Sequence, residues 1–181
     1  MENKHSNIFL VGPMGAGKTT IGRQLARKLG MQFLDSDRVI EERTGADIPL
    51  IFEKEGEDGF RKREQAVIDE LTLQDNLVLA TGGGVILSAD NRKALAQRGQ
   101  VIYLHSDIKS LVERTSKDQN RPLLQTGHDP HSVLRQILEQ REPLYRETAD
   151  FTVDTSNTSI RNVIQAIIGQ INHLNENGSQ P

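Results

Sequence analysis

The 181-residue sequence contains no cysteine and no tryptophan, and only two tyrosines and five phenylalanines. Without cysteine there is no disulfide, no thiolate metal site and no cysteine nucleophile, so nothing points to an oxidising compartment and a cytoplasmic location is expected. Apolar runs stop at four or five residues, far short of the roughly 20 that a membrane-spanning helix needs. The polar segment 1–7 carries no apolar stretch behind its lysine, so neither an export signal nor a membrane partner is expected. A formal charge of −3 supplies no positive field for a phosphate backbone, and few aromatic side chains are present to stack on bases, which argues against a nucleic-acid partner. What remains, 35% hydrophobic and 26% charged residues, is the balance of a water-soluble enzyme. The length fits one domain, placed at 1–174, followed by a polar tail at 175–181 that should fray.

Short β-branched or apolar runs bounded by turn residues occur at 8–11, 33–34, 77–80, 101–104 and 151–153, each followed by a helical pattern. That alternation predicts an α/β fold with a parallel sheet. Helices are expected at 18–29, 38–43, 59–73, 89–98, 108–114, 132–147 and 159–174. Segment 45–63, with Pro49, Gly56 and Gly59, and segment 115–130, with Lys117, Arg121, Gly127 and two prolines, do not fit the repeat. In such folds, acceptor binding and lid closure are expected where long loops depart from it. The acceptor segment is placed at about 35–63 and a mobile lid at about 115–130.

Gly12-Pro-Met-Gly-Ala-Gly-Lys18-Thr19 matches the pattern G-x-x-x-x-G-K-[ST] between a strand and a helix, the setting in which the motif cradles phosphate. Glycines at 12, 15 and 17 let backbone N–H groups turn inward at a helix N-terminus whose partial positive charge favours anions. Gly15, Ala16, Gly17, Lys18, Thr19 and Thr20 are therefore candidate ATP-binding residues. Lys18 would reach the β- and γ-phosphates and Thr19 would hold Mg²⁺, one ion per chain.

A phosphate loop does not disclose what receives the phosphate. Leu34-Asp35-Ser36-Asp37 ends the second strand at the sheet edge where open α/β folds bind ligands. If the strand stays extended, Asp35 and Asp37 lie on one side, which suits one acid near the metal and one facing the acceptor hydroxyl. The alternative for either residue alone is a helix N-cap with a stray acid. Thr81-Gly82-Gly83-Gly84 follows the third strand, and three successive glycines fit close approach of a ligand to bare backbone. The most prominent second acidic motif of phosphate-loop proteins, an apolar strand ending in aspartate, is absent, because the strand at 77–80 runs into Thr81 and glycines.

Taken together, the phosphate loop, Asp35-Ser-Asp37, Gly59-Phe60-Arg61 with Glu64, Leu79-Ala-Thr-Gly-Gly-Gly84, Arg121-Pro-Leu-Leu and Arg141-x-x-x-Tyr145 resemble the shikimate kinases. The resemblance runs from Asn7 to about Asp154. It implies a three-layer phosphate-loop kinase with a five-stranded parallel sheet, and transfer of the ATP γ-phosphoryl to the 3-hydroxyl of shikimate in chorismate and aromatic amino acid biosynthesis. By motif, Asp37 would meet the reacting hydroxyl, and Arg61 and Arg141 would hold the shikimate carboxylate. Gly82, Gly83 and Gly84 would contact the ring, and Arg121 would descend with the lid onto the phosphates. Lys18, Asp37 and Arg121 form the implied catalytic set, with Thr19 and Asp35 toward the metal. Arg114 resembles the residue that packs on adenine, although a cation in the last turn of a helix is also explained by the helix dipole. Segment 156–159 offers only small polar side chains for a second adenine contact. The chain is expected to act as a monomer on ATP and shikimate. The rivals are a gluconate or nucleoside monophosphate kinase, and a module that senses nucleotide without turnover.

Overall fold

A computed structural model describes residues 7–116 and 127–177. Five parallel strands, β1 (Ile8–Val11), β2 (Gln32–Asp35), β3 (Leu77–Ala80), β4 (Gln100–His105) and β5 (Phe151–Asp154), form one sheet in the order β2-β3-β1-β4-β5. Residues of β1 and β3 are buried throughout, which is why both read as unbroken apolar runs rather than as alternating ones. Among the described residues, seven α-helices cover the faces: α1 (Lys18–Leu29), α2 (Ser36–Thr44), α3 (Ile48–Leu71), α4 (Ala89–Arg98), α5 (Ile108–Thr115), α6 (Pro130–Thr148) and α7 (Ile160–Asn177).

Two cores follow from this layering. Leu10, Ile102 and Leu104 pack with Leu25 of α1, Leu111 of α5, Leu134 of α6 and Ile167 of α7. On the other face, Phe9, Leu79 and Tyr103 pack with Ile40 of α2, Ile68 of α3 and Leu95 of α4. Burying each such side chain contributes roughly 1.5–3 kcal/mol, and these rows hold the strand ends in place. The chain passes from β1 over β3 to β2 and later from β3 over β1 to β4. The order therefore reverses between β1 and β3, and ligands bind in the crevice at such a point, beyond the carboxyl ends of the strands.

Three expectations are corrected. β2 stops at Asp35 and α2 starts at Ser36, because the Asp35 carboxylate accepts hydrogen bonds from the N–H groups of Asp37 and Arg38 and caps the helix; the extended alternation assumed for Asp35 and Asp37 does not exist. Segment 48–71 is helical, capped by the Asp47 side chain and with Pro49 in the first turn, where it is tolerated. The break read from glycine is confined to Gly56, at φ 71° and ψ 179°. Finally, α7 continues to Asn177, so 175–177 belong to a helix and not to a tail. The central part of the expected lid, residues 117–126 with Lys117 and Arg121, lies outside the described residues.

Candidate active site

The phosphate loop leaves β1 and enters α1 through Gly17, whose φ of 93° is the left-handed conformation that glycine adopts without strain. Lys18 is 8% exposed, and its Nζ donates to the carbonyls of Gly12 at 2.6 Å and Pro13 at 2.8 Å. The ammonium thus closes the loop on itself while remaining beside the space that it encircles. Thr19 Oγ1 donates to Asp35 Oδ2 at 2.6 Å. Asp35 consequently uses one oxygen to cap α2 and turns the other to the loop, so the cap reading and the reading toward the metal describe its two oxygens. Both donors are hard oxygens, the chemistry that Mg²⁺ takes. Among the described residues no cluster of three His, Cys, Asp or Glu side chains could hold a metal. That donor set fits Mg²⁺, which keeps several waters and substrate phosphates as ligands and needs only one or two protein oxygens.

Across the crevice, the turn after β3 is fixed by its neighbours. Thr81 donates to the Leu10 carbonyl through its N–H at 3.2 Å and through Oγ1 at 2.8 Å, tying the end of β3 to β1. Gly82 N–H donates to Ser36 Oγ at 3.1 Å, tying the same turn to α2. This brings Asp37, in the first turn of α2, against the glycines: a Cβ at Gly82 would lie 2.7 Å from Asp37 Oδ1 and 2.9 Å from Glu64 Oε2. At Gly84 a Cβ would lie 2.3 Å from Arg61 Nη2. Any larger residue at either position would displace a charged group, which is a stronger reason for glycine here than turn geometry.

Arg61 and Arg141 reach this turn from α3 and α6. Arg141 is 6% exposed despite its place in a helix, one turn before Tyr145 and next to Pro143, and its Nη1 would lie 3.6 Å from a Cβ at Gly83. Arg61 Nη1 donates to Glu64 Oε1 at 2.9 Å and Nη2 to Glu57 Oε1 at 3.2 Å. Glu64 is 1% exposed. Burial pushes its carboxyl above the usual carboxylate range, and Arg61 and Arg141 oppose that shift without cancelling it. Glu64 stands in the quoted motif beside Arg61, but the sequence gives it no role in the site. Its signal was the spacing of three from Arg61, which on an isolated helix describes a solvated ion pair.

A cavity of about 450 Å³ joins the phosphate loop to the start of α2 and the glycine turn, lined among others by Lys18, Thr19, Asp35, Asp37, Gly82 and Gly83. An adjoining recess of about 210 Å³ shares Gly17, Thr20 and Arg114 with it and continues past Ile21, Ile160 and Val163. Arg114 bridges the recess, donating to the carbonyls of Gly15 at 3.1 Å and Thr155 at 2.9 Å, so its position in the last turn of α5 serves more than the helix dipole. Segment 156–159 contributes Thr158 to this recess, and the apolar wall comes from α1 and α7. The flat recess with one cation and an apolar side suits a heteroaromatic base. A groove of about 690 Å³ between α3 and α4, lined by side chains of both charges, contains none of the residues singled out in the sequence.

The arrangement sets a phosphate-type loop and an adjoining recess around one cavity, with Arg61 and Arg141 packed against the glycine turn at its edge. Comparison with known proteins identifies the family. A family model described as shikimate kinase matches residues 14–172. A shikimate kinase of Methylococcus capsulatus is 57% identical over 168 residues, covering 93% of each chain, and one of Haemophilus influenzae is 54% identical over 169 residues, covering 93% of this chain and 94% of its own. Among solved structures, the shikimate kinase of Acinetobacter baumannii in complex with shikimate superposes with a TM-score of 0.89 at 56% identity, covering 91% of this chain and 92% of that one.

Proposed function

Since the chain belongs to the shikimate kinase family, we propose that it transfers the γ-phosphoryl group of ATP to the 3-hydroxyl of shikimate, the step that yields shikimate 3-phosphate on the way to chorismate. The observation that carries the reading is the convergence of Arg61 and Arg141 on the Gly82–Gly84 backbone, which packs beside the phosphate loop at the edge of the cavity. Planar guanidinium groups on two separate helices match a carboxylate and fix the orientation of the ring that bears it.

In this mechanism, N–H groups from Gly15 to Thr20 receive the β- and γ-phosphates, and Lys18 exchanges its two loop carbonyls for phosphate oxygens. Thr19 and Asp35 would hold Mg²⁺, which when bound neutralises phosphate charge. Asp37 accepts a hydrogen bond from the acceptor hydroxyl and keeps its oxygen in line with the γ-phosphorus. A new O–P bond forms as the bond to the β–γ bridging oxygen breaks, ADP departs with that electron pair, and the hydroxyl proton leaves toward Asp37. Little covalent chemistry falls to the protein, so alignment and charge neutralisation carry the rate. Arg121, outside the described residues, is assigned to the phosphates as a closing cation on the family resemblance. Arg114 and the recess beside it are assigned to adenine. We place the enzyme in the cytoplasm, acting as a monomer.

The test is ADP release with Mg·ATP alone and then with shikimate, gluconate or nucleoside monophosphates added singly. Shikimate is expected to accelerate release and the others are not. Activity with gluconate or a nucleotide and none with shikimate would overturn the assignment. Arg61→Ala should raise the KM for shikimate by about 10–100-fold, the scale of a lost charge-assisted bond, and leave the KM for ATP nearly unchanged. Equal rises in both would remove Arg61 from the acceptor.

A further inference from the structure

Tyr145 was quoted in the Arg141 motif without a task, and the mechanism above does not use it. It is fully buried, its ring stacked on Tyr103 with centroids 5.1 Å apart and planes 17° from parallel. Its hydroxyl donates to the carbonyl of Gly83, and the guanidinium of Arg141, one helical turn earlier, lies against the same hydroxyl oxygen. Guanidinium has donors only. The hydroxyl proton therefore has to point to Gly83, and the cation polarises the O–H toward its acceptor. Burial pushes the phenol up to about 12, so the proton is present throughout the working pH range.

The consequence lies in the peptide that is gripped. There is no cis peptide bond in the described chain, and in a trans peptide the C=O of one residue and the N–H of the next point in opposite directions. Holding the Gly83 carbonyl toward Tyr145 aims the Gly84 N–H away from it. Gly82 N–H is already engaged by Ser36 Oγ and the Gly82 and Gly84 carbonyls accept from Val85 and Leu87. The Gly83–Gly84 peptide is thus the link of the turn whose rotation is set by a side chain of α6. Glycine resists rotation less than any other residue, so a run of three requires such a grip if it is to present N–H groups in one direction.

We propose that Tyr145 is a positioning residue for the acceptor: through one hydroxyl it locks the Gly83–Gly84 peptide and the Arg141 guanidinium into a single carboxylate-facing unit. This rests on the reading that both groups face shikimate.

The test is Tyr145→Phe in the full chain, which keeps the stacked ring and removes only the hydroxyl. Tyr103→Phe serves as the control, since the Tyr103 hydroxyl is buried with no partner among the described residues. Tyr145→Phe is expected to raise the KM for shikimate about tenfold while leaving the KM for ATP unchanged. It should also speed hydrogen exchange of the amides in segment 81–86 of the ligand-free protein by several-fold; Tyr103→Phe should do neither. Unchanged exchange with an unchanged acceptor KM, or equal rises in the KM of both substrates, would overturn the proposal. A wild-type enzyme indifferent to shikimate would overturn the function proposed above, and the exchange measurement would still decide whether Tyr145 locks the turn.

Discussion

Lys18→Ala is expected to lower kcat by about 10²–10³-fold or more, the cost of removing one preorganised charge from a site where charge develops. The size of the effect follows from where the ammonium already sits. In the ligand-free protein it is buried and satisfied by two carbonyls of its own loop, so it meets arriving phosphate without a long search through rotamers and without first shedding a full hydration shell. Exchanging neutral acceptors for anionic ones contributes modestly to ground-state binding. The gain grows as negative charge builds on the leaving β–γ bridging oxygen, so kcat should fall more than ATP affinity. Steady-state kinetics with saturating shikimate, paired with ATP binding by calorimetry, separate the two. A variant with near-normal kcat and weakened ATP binding would make Lys18 a tether and nothing more. The same substitution also frees the Gly12 and Pro13 carbonyls, so a circular dichroism melt is the companion measurement that shows whether the loop persists.

Asp37→Asn is expected to reduce kcat by about 10²–10⁴-fold, the range for losing a positioned proton acceptor. Asparagine keeps the volume and one carbonyl oxygen, and it leaves untouched the backbone N–H that Asp35 caps, so α2 should survive. What disappears is the negative charge lying at Gly82, beside Glu64. Were Asp37 chiefly a tether for the acceptor, the shikimate KM would rise and kcat would hold. The split between kcat and KM therefore distinguishes alignment with proton acceptance from simple binding. ATP affinity should stay within about twofold of wild type, because Asp37 faces the acceptor side of the cavity.

Much of the site could be read in the sequence because its parts are local. The phosphate loop is eight consecutive residues between a strand and a helix, and its geometry is dictated by glycine, a helix start and one lysine. The three glycines after β3 also announce themselves. What escaped depends on contacts between elements distant in sequence. Glu64 looks like the outer half of an exposed ion pair until the sheet, α2 and α6 close over it and convert the same spacing into a 1% exposed carboxylate between two arginines. The start of α2 was misplaced because an aspartate at the end of a strand gives no local sign of which of its oxygens will turn back to cap. The sequence places a helix at 59–73 but none over 48–58, because Pro49, Gly56 and Gly59 are poor helix formers, yet Pro49 occupies the first turn of α3 and Gly56 is needed only where the rod bends. The wall of the base-sized recess was missed for the opposite reason. Segment 156–159 contributes Thr158, whereas the apolar part comes from Ile21 and Ile160, far apart in sequence.

The central strand has a consequence for how the molecule comes into being. β1 pairs with β3 and β4, Ile8 standing opposite Val78 on one side and Gln100 on the other, so neither neighbour is close in sequence. During synthesis the strand that anchors the phosphate loop stays without a sheet partner until β3, at Leu77–Ala80, has followed it. Such non-local parallel pairings are slow to form. Nucleotide affinity is therefore expected only once β1 has paired with β3, and a partly unfolded chain should not retain ATP. The nucleotide in turn binds only the finished sheet, so cellular ATP at concentrations above its Kd shifts the folding equilibrium toward the native state.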